Sequence, residues 1–383
     1  MSIRMAPDAA SVLTRMGHDT AAAVLTIDLG ALTANWRLLR DRHRSGQRAL
    51  GQTGAVLKAD GYGTGAIQAG EALFAAGCRH FFVATPDEAL LLRPHIPGAA
   101  LVVLGGLYAG AEVDYAAHDL TPALGALGEI QAWSALARRL ERPLPAFLHF
   151  DTGMSRLGLD AREFASLTED HARLEGIELR AVMSHLIESE TADSPLNPLQ
   201  RDRFRAGLAR LPPAPACLVN SSGMFLDPSF GFDLARPGAA LYGINPTPGR
   251  ENPMRPVATV KARVLAVREI PAGATTGYNA TWTAKRRTRI ATIGMGYADG
   301  WHRSHSNTGM AYFDGHPVPL VGRVSMDLMT FDVTDCPAVQ AGSWLEILGP
   351  NRPADDAARD AGTIGYEVLT ALGRRYHRIY TQA

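Results

Sequence analysis

From Val24 onward, short apolar runs alternate with longer amphipathic stretches, and this alternation limits the possible folds more than any other feature of the chain. Runs of strand length separated by stretches of helix length read as successive βα units on a parallel sheet. The candidate strands are VLTI (24–27), AVLK (55–58), HFFVA (80–84), ALVVLGG (100–106), LTPAL (120–124), AFLHF (146–150), LRAVMSHL (179–186) and CLVN (217–220), followed by ARPGAALYG (235–243). Between them lie helix-like stretches such as LGALTANWRLLRDRH and ATPDEALLLR. The second of these opens with Thr85, Pro86 and Glu88, the residues of a capped helix start. About eight such units, with no glycine-rich dinucleotide turn after the first strand, predict an N-terminal (β/α)8 TIM-type barrel rather than an open sheet.

Past Pro256 the texture changes. VKARVLAVREI, TRIATIGMGYADG, HPVPLVGRVSMDLMTFDV and WLEILG alternate or run apolar between Pro, Gly and Asn turns, which predicts a predominantly β C-terminal domain. One helical segment, GTIGYEVLTALGRR, follows near the C-terminus. The expected organisation is a loose extension over residues 1–20, a barrel over 21–256 and the β-rich domain over 257–383.

Charge narrows the choice of partner. Lys+Arg and Asp+Glu are both 38, so nothing draws the chain to nucleic acid or an anionic membrane, and a small neutral or zwitterionic ligand fits better. Cys78, Cys217 and Cys336 are far apart and odd in number, which suggests reduced core thiols rather than a disulfide framework or a zinc knuckle. The first residues lack the uninterrupted apolar core of a secretory signal, and no stretch approaches the ~20 apolar residues of a membrane span. The expectation is a soluble cytoplasmic protein.

In a barrel, chemistry belongs at the C-terminal ends of the strands. Those ends supply Lys58, Asp151 with Arg156 just after, His185, the cluster Asn220-Ser221-Ser222, and Arg236-Pro237-Gly238. Each has an ordinary explanation: a lysine there usually snorkels, a lone histidine is more often a satisfied rim residue, and serines more often cap helices. Together they are more polar than a packed barrel layer permits. Several catalytic schemes fail on spacing. Lys58 precedes its glycines and so makes no phosphate loop, there is no G-x-S-x-G and no H-E-x-x-H, and His302 with His305 is an isolated pair, read as a loop with no metal. What remains is an amine nucleophile with an anion site: Lys58, Tyr62, Ser221 and the amides around Gly238. Pyridoxal phosphate brings both an aldehyde for the amine and a phosphate for that site.

The segments KADGYG, FDTGMSRLG, MSHL, VNSSG, ARPGAALYG, GYNATW, GYADGW, GRVSMD and GTIGYEVLTALG follow the order and spacing of the alanine racemase family, which this chain resembles from Val24 to its end. The resemblance implies that Lys58 carries pyridoxal 5'-phosphate as an aldimine. Tyr62, Ser221, the Gly238 and Ala239 amides and Tyr366 would bind its phosphate, with Asn220 and His185 also against the cofactor and Arg236 at the pyridine nitrogen. Arg156 and the Met326 amide would receive the substrate carboxylate, and Tyr297, Arg323 and Asp327 would stand near the entrance.

The same resemblance gives the two bases that racemisation needs, because a proton must leave one face of the α-carbon and another arrive on the opposite face. Lys58 would serve the α-proton of D-alanine and Tyr278 that of L-alanine, with Tyr278 supplied by the partner subunit of a homodimer. A free phenol has a pKa near ~10, so Tyr278 needs cationic hydrogen-bond partners, for which His185 and Arg236 are the candidates. Arg236 remains protonated and leaves no proton on the pyridine nitrogen, which keeps transamination a minor side reaction. The D-alanine would supply peptidoglycan or enter catabolism.

Three positions depart from the commonest pattern: Asp60 and Thr64 stand for Asn and His, and His149 stands where many members have a lysine whose carbamate holds the substrate-binding arginine. Competing readings are a barrel-type pyridoxal phosphate decarboxylase, a racemase of larger amino acids, and a non-catalytic carrier of the cofactor. Arg236 disfavours the first, the missing signal the second, and the domain with Tyr278 and Met326 the third.

Overall fold

The computed structural model describes residue 17 and residues 20–45 and 51–382. The loose extension expected over residues 1–20 lies almost wholly outside the described residues. By internal contacts the chain forms two units, one from Leu32 to Arg255 and one from the residues up to Ala31 together with those from Pro256 on.

In the first unit, seven short strands pair in chain order: Ala55–Val56, His80–Val83, Ala100–Val103, Leu120–Leu124, Leu144–His149, Ile177–Met183 and Ala216–Cys217. Every pairing is parallel. An eighth segment closes the ring. Leu234–Ala235 runs parallel to Gln52–Thr53, while Gly54 N donates to Ala235 O at 3.0 Å, Val56 N to Pro237 O at 2.9 Å and Arg236 N to Val219 O at 2.9 Å. Phe81, Phe82, Leu101, Val102 and Leu148 are fully buried, as expected of parallel strands packed on both faces. The helix Pro86–Leu92 starts as its sequence dictates, with Thr85 and Glu88 forming a reciprocal capping box.

The strand expected first in the barrel belongs elsewhere. Ala23–Asp28 contains VLTI, and it pairs antiparallel with Ala258–Ile270 (Leu25 opposite Val260) and parallel with His377–Thr381. It is therefore part of the β-rich unit, and Leu234–Ala235 takes the barrel position it was expected to fill. ARPGAALYG also departs from expectation, because only its first residue is in a strand and Ala239–Tyr242 is a 3-10 turn.

The β-rich unit is built on the long strand Ala258–Ile270. It pairs with Ala23–Asp28, Trp344–Leu348 and Thr288–Ile293, and is kinked by a bulge between Val264 and Ala266. Two helices, Ala354–Ala361 and Gly365–Thr370, stand where one was expected. His305, read as a loop residue, is buried and stacked on Trp301 at 4.5 Å. All three cysteines are buried and unpaired.

Candidate active site

Lys58 follows a wholly buried Ala55-Val56-Leu57, and Leu57 N is held by Phe82 O at 2.8 Å. The backbone then turns left-handed for five residues, with φ between 54° and 77° from Ala59 to Gly63. Three of these residues carry side chains, and each costs about 1–2 kcal/mol in that conformation, so the turn persists only because its surroundings hold it. Asp60 accepts from Ala66 N at 2.9 Å and the buried Thr64 hydroxyl donates to Gly61 O, which gives two of the three departures from the family pattern a local task. Glu88 accepts from Ala59 N at 2.6 Å.

The electrostatics favour a reactive amine. Burial holds the Lys58 pKa below the ordinary lysine value, and the Arg156 and Arg236 guanidiniums lower it further, while Glu88 opposes them. His185 is depressed to about 3 by burial and then by Arg236, and His149 to about 4 by the same two causes in the same order. Both imidazoles are therefore neutral near pH 7. A neutral His185 leaves Arg236 as the charged one of the two candidate partners for a tyrosine base.

Arg236 is 3% exposed; its Nη2 donates to Ser184 O, whereas its Nε has no acceptor in the described protein. A buried charged donor without a partner is costly, so this nitrogen calls for an acceptor from a ligand. Beyond Arg236 the backbone forms a narrow cradle. Ser221 Oγ accepts from Gly238 N at 3.0 Å and Ala240 N at 3.2 Å, and a Cβ at Gly238 would come within 2.5 Å of the Tyr62 hydroxyl. Tyr62 stacks on Tyr242 at 4.6 Å, and burial pushes its pKa up to about 12, so its phenol remains a hydrogen donor. Asn220 uses its Oδ1 within the protein, accepting from Ser189 Oγ and Gly223 N.

Arg156 is exposed, and Asp151 fixes its loop by accepting from the amides of Gly153, Met154 and Ser155. Three polar residues of this unit escaped sequence reasoning: Thr152, Ser184 and Gln200. Gln200, 1% exposed, donates to Thr152 Oγ1 and His185 O, and Thr152 meets Ser184 at 2.8 Å, beside the carbonyl that holds Arg236. No local signal marks Gln200 on its helix, because its partners are distant in sequence.

The β-rich unit brings three motifs together. Tyr278, 66% exposed, opens a 3-10 turn between the paired strands Thr275–Thr276 and Trp282–Thr283. It therefore sits on a turn and not within a strand. Gly277 has φ +77° and packs so that a Cβ would lie 2.9 Å from Arg323 N, which ties this turn to the Arg323–Met326 segment. Tyr297 N donates to Ser325 O at 3.0 Å and Ala298 N to Met326 O at 2.9 Å. Arg375 bridges Asp299 at 3.2 Å and Asp327 at 2.6 Å. Tyr278, Tyr297, Arg323, Met326 and Asp327 thus share one region of this unit, and Tyr366 lies on its helix Gly365–Thr370.

The parallel barrel carries Lys58, Arg156, Arg236 and the Gly238 turn after its strands, at the end where barrel enzymes keep their chemistry, and the β-rich unit carries Tyr278 on an exposed turn. The family models for the alanine racemase N-terminal and C-terminal domains match residues 27–246 and 257–380. The chain is 51% identical to alanine racemase of Acidiphilium cryptum over 95% of its length and 99% of that protein, and 46% identical to that of Brucella abortus over 94% of each. Its structure matches the crystal structure of alanine racemase from Bartonella henselae with covalently bound pyridoxal phosphate. The TM-score is 0.90 at 40% identity, covering 94% of this chain and 100% of that one. It also matches biosynthetic alanine racemase from Pseudomonas aeruginosa, with a TM-score of 0.87 at 32% identity, covering 94% of this chain and 100% of that one. The chain belongs to the alanine racemase family.

Proposed function

We propose that this protein interconverts L-alanine and D-alanine with pyridoxal 5'-phosphate, held by Lys58. The observation that carries the reading is the pairing of a desolvated lysine with a buried Arg236 whose Nε lacks an acceptor. The residues present fit the cofactor. Tyr62 is a protonated phenol beside the Gly238 cradle, Ser221 and Gly238 are buried together, and Arg236 offers a donor suited to a pyridine nitrogen. Asn220, Ala239 and Tyr366 complete the proposed phosphate site, and His185, neutral, orients the ring without adding charge.

When bound, pyridoxal phosphate makes the substrate's α-hydrogen acidic by drawing electrons from the α-carbon. The chain's own residues then divide the work. Arg156 and the Met326 amide hold the substrate carboxylate, which fixes the α-carbon between two bases. Lys58, whose lowered pKa lets its amine lose a proton closer to neutrality, exchanges the α-proton of D-alanine. Tyr278 exchanges that of L-alanine from the opposite face. Tyr297, Arg323 and Asp327 line the proposed entrance, with Asp327 steadied by Arg375.

Lys58 and Tyr278 belong to different units of the chain, and Tyr278 is exposed. The proposed arrangement is a homodimer in which each tyrosine serves the partner's lysine. Among the described residues no helix is long and apolar enough to cross a membrane, and the unpaired cysteines support a reducing, cytoplasmic location. The bacterial relatives, one termed biosynthetic, support D-alanine supply for peptidoglycan, with catabolism as the second physiological reading.

The test joins binding to chemistry. Wild-type protein should take up the cofactor with visible absorbance and exchange the α-hydrogen of L-alanine in heavy water, and Lys58→Ala should lose both. Cofactor uptake by the wild type without any α-hydrogen exchange would contradict the reading.

A further inference from the structure

Glu88 has a second task besides closing its helix cap. Its carboxylate is spread over two places: Oε1 accepts from Ala59 N at 2.6 Å, and Oε2 from Ala84 N at 2.7 Å and Thr85 N at 3.4 Å. The capping box accounts for the Thr85 contact alone. Ala59 is the residue after Lys58 and the first of the left-handed turn, with φ +54°. Ala84 directly follows the strand His80–Val83, whose Phe82 carbonyl already holds Leu57 N. Glu88 therefore pins the backbone on the far side of Lys58 to the strand that pins it on the near side.

We propose that Glu88 is a positioning residue for Lys58, clamping the strained turn that aims the amine. The inference rests on Lys58 being the reactive amine. Local propensity opposes the turn; its backbone is tied by Gly61 N to Leu57 O and Gly63 N to Ala59 O, Asp60 and Thr64 bond toward its far end, and Glu88 holds the Ala59 amide. The charges around the amine are Arg156 and Arg236, which depress its basicity, Glu88, which sustains it, and His185, which is neutral. A carboxylate fits both sites because each oxygen accepts. A glutamine has one accepting oxygen and an NH2 that would face an amide hydrogen, so it satisfies one site only.

The experiment uses the full chain and reads two quantities besides activity. One is the pH midpoint of Lys58 reductive methylation in cofactor-stripped protein, followed on the Lys58 peptide by mass spectrometry. The other is amide hydrogen exchange at Ala59. Glu88→Gln should lower the midpoint and speed Ala59 exchange by at least about tenfold, as loss of a charge-assisted hydrogen bond implies. Thr85→Ala breaks the other half of the cap and leaves Ala59 untouched, so it should lower stability without moving either readout. Glu88→Asp keeps the charge on a shorter arm, and should hold the midpoint while losing Ala59 protection; it carries the test alone if the glutamine variant does not fold. Unchanged Ala59 exchange in both Glu88 variants, or equal changes in Glu88→Gln and Thr85→Ala, would overturn the proposal. A Lys58→Ala protein that still racemises would instead defeat the functional reading, and would leave the Ala59 result standing.

Discussion

At the scale of single residues, buried histidines in both units are kept in one protonation state. His185, His149 and His305 have pKa values depressed to about 3, about 4 and about 3, chiefly by burial, against an ordinary value near ~6.5 in an unfolded chain. Unfolding therefore takes up protons below pH ~6.5, so stability is complete above that value and falls as pH drops toward the folded-state values. Chemical denaturation across this window should show a steady loss of stability on acidification, and His305→Phe should flatten part of the slope. A second residue-scale prediction concerns Gly238. Its missing Cβ leaves room for the Tyr62 hydroxyl at 2.5 Å, so Gly238→Ala must displace a buried phenol, at a cost of about 1–3 kcal/mol, and should weaken cofactor binding measured by equilibrium dialysis. Lys58, Tyr62, Arg236 and Gly238 stand out in the sequence because each sits in a short contiguous motif, and the fold packs Gly238 against the Tyr62 hydroxyl. Gln200 and the contact from Glu88 to Ala59 do not stand out, because their meaning lies in partners tens of residues away that only the closed barrel brings near.

At the scale of elements, local pattern was a sound guide to strands but not to their sheet. VLTI has the alternation of any half-covered strand, and only its pairing of Ile27 with Ala258 and Leu25 with Val260 assigns it to the β-rich unit. A four-residue apolar run carries no register, so no local rule would have moved it. The strand Leu234–Ala235 was hidden for the opposite reason, being too short to read as a strand before the arginine and glycine of the cradle. The hairpin that carries Tyr278 is constrained by backbone. Gly277 needs both its φ of +77° and the absence of a Cβ 2.9 Å from Arg323 N. Gly277→Ala should cost about 1–3 kcal/mol in the conformation of the turn, and should lower kcat far more than cofactor affinity, since the cradle residues lie in the other unit. Elsewhere, buried Arg352 is paired with Asp360 at 2.6 Å, and Asp360→Ala should destabilise thermally by about 3–5 kcal/mol through the charge it strands.

At the scale of the whole molecule, the proposed reaction depends on two groups from different units, one desolvated and one exposed. If sites are shared across a homodimer, mixing inactive Lys58→Ala and Tyr278→Phe proteins should restore one working centre in each mixed dimer. No recovery despite demonstrated subunit exchange would rule that arrangement out. The division of labour between the bases is more central still, because it separates a racemase from any enzyme that only labilises the α-hydrogen. The most direct measurement is solvent deuterium exchange at the α-carbon of each alanine enantiomer by Tyr278→Phe in heavy water. The α-hydrogen of D-alanine should still exchange through Lys58, while exchange of the L-alanine hydrogen and inversion should be lost. Equal exchange of both enantiomers with inversion intact would contradict that division of labour.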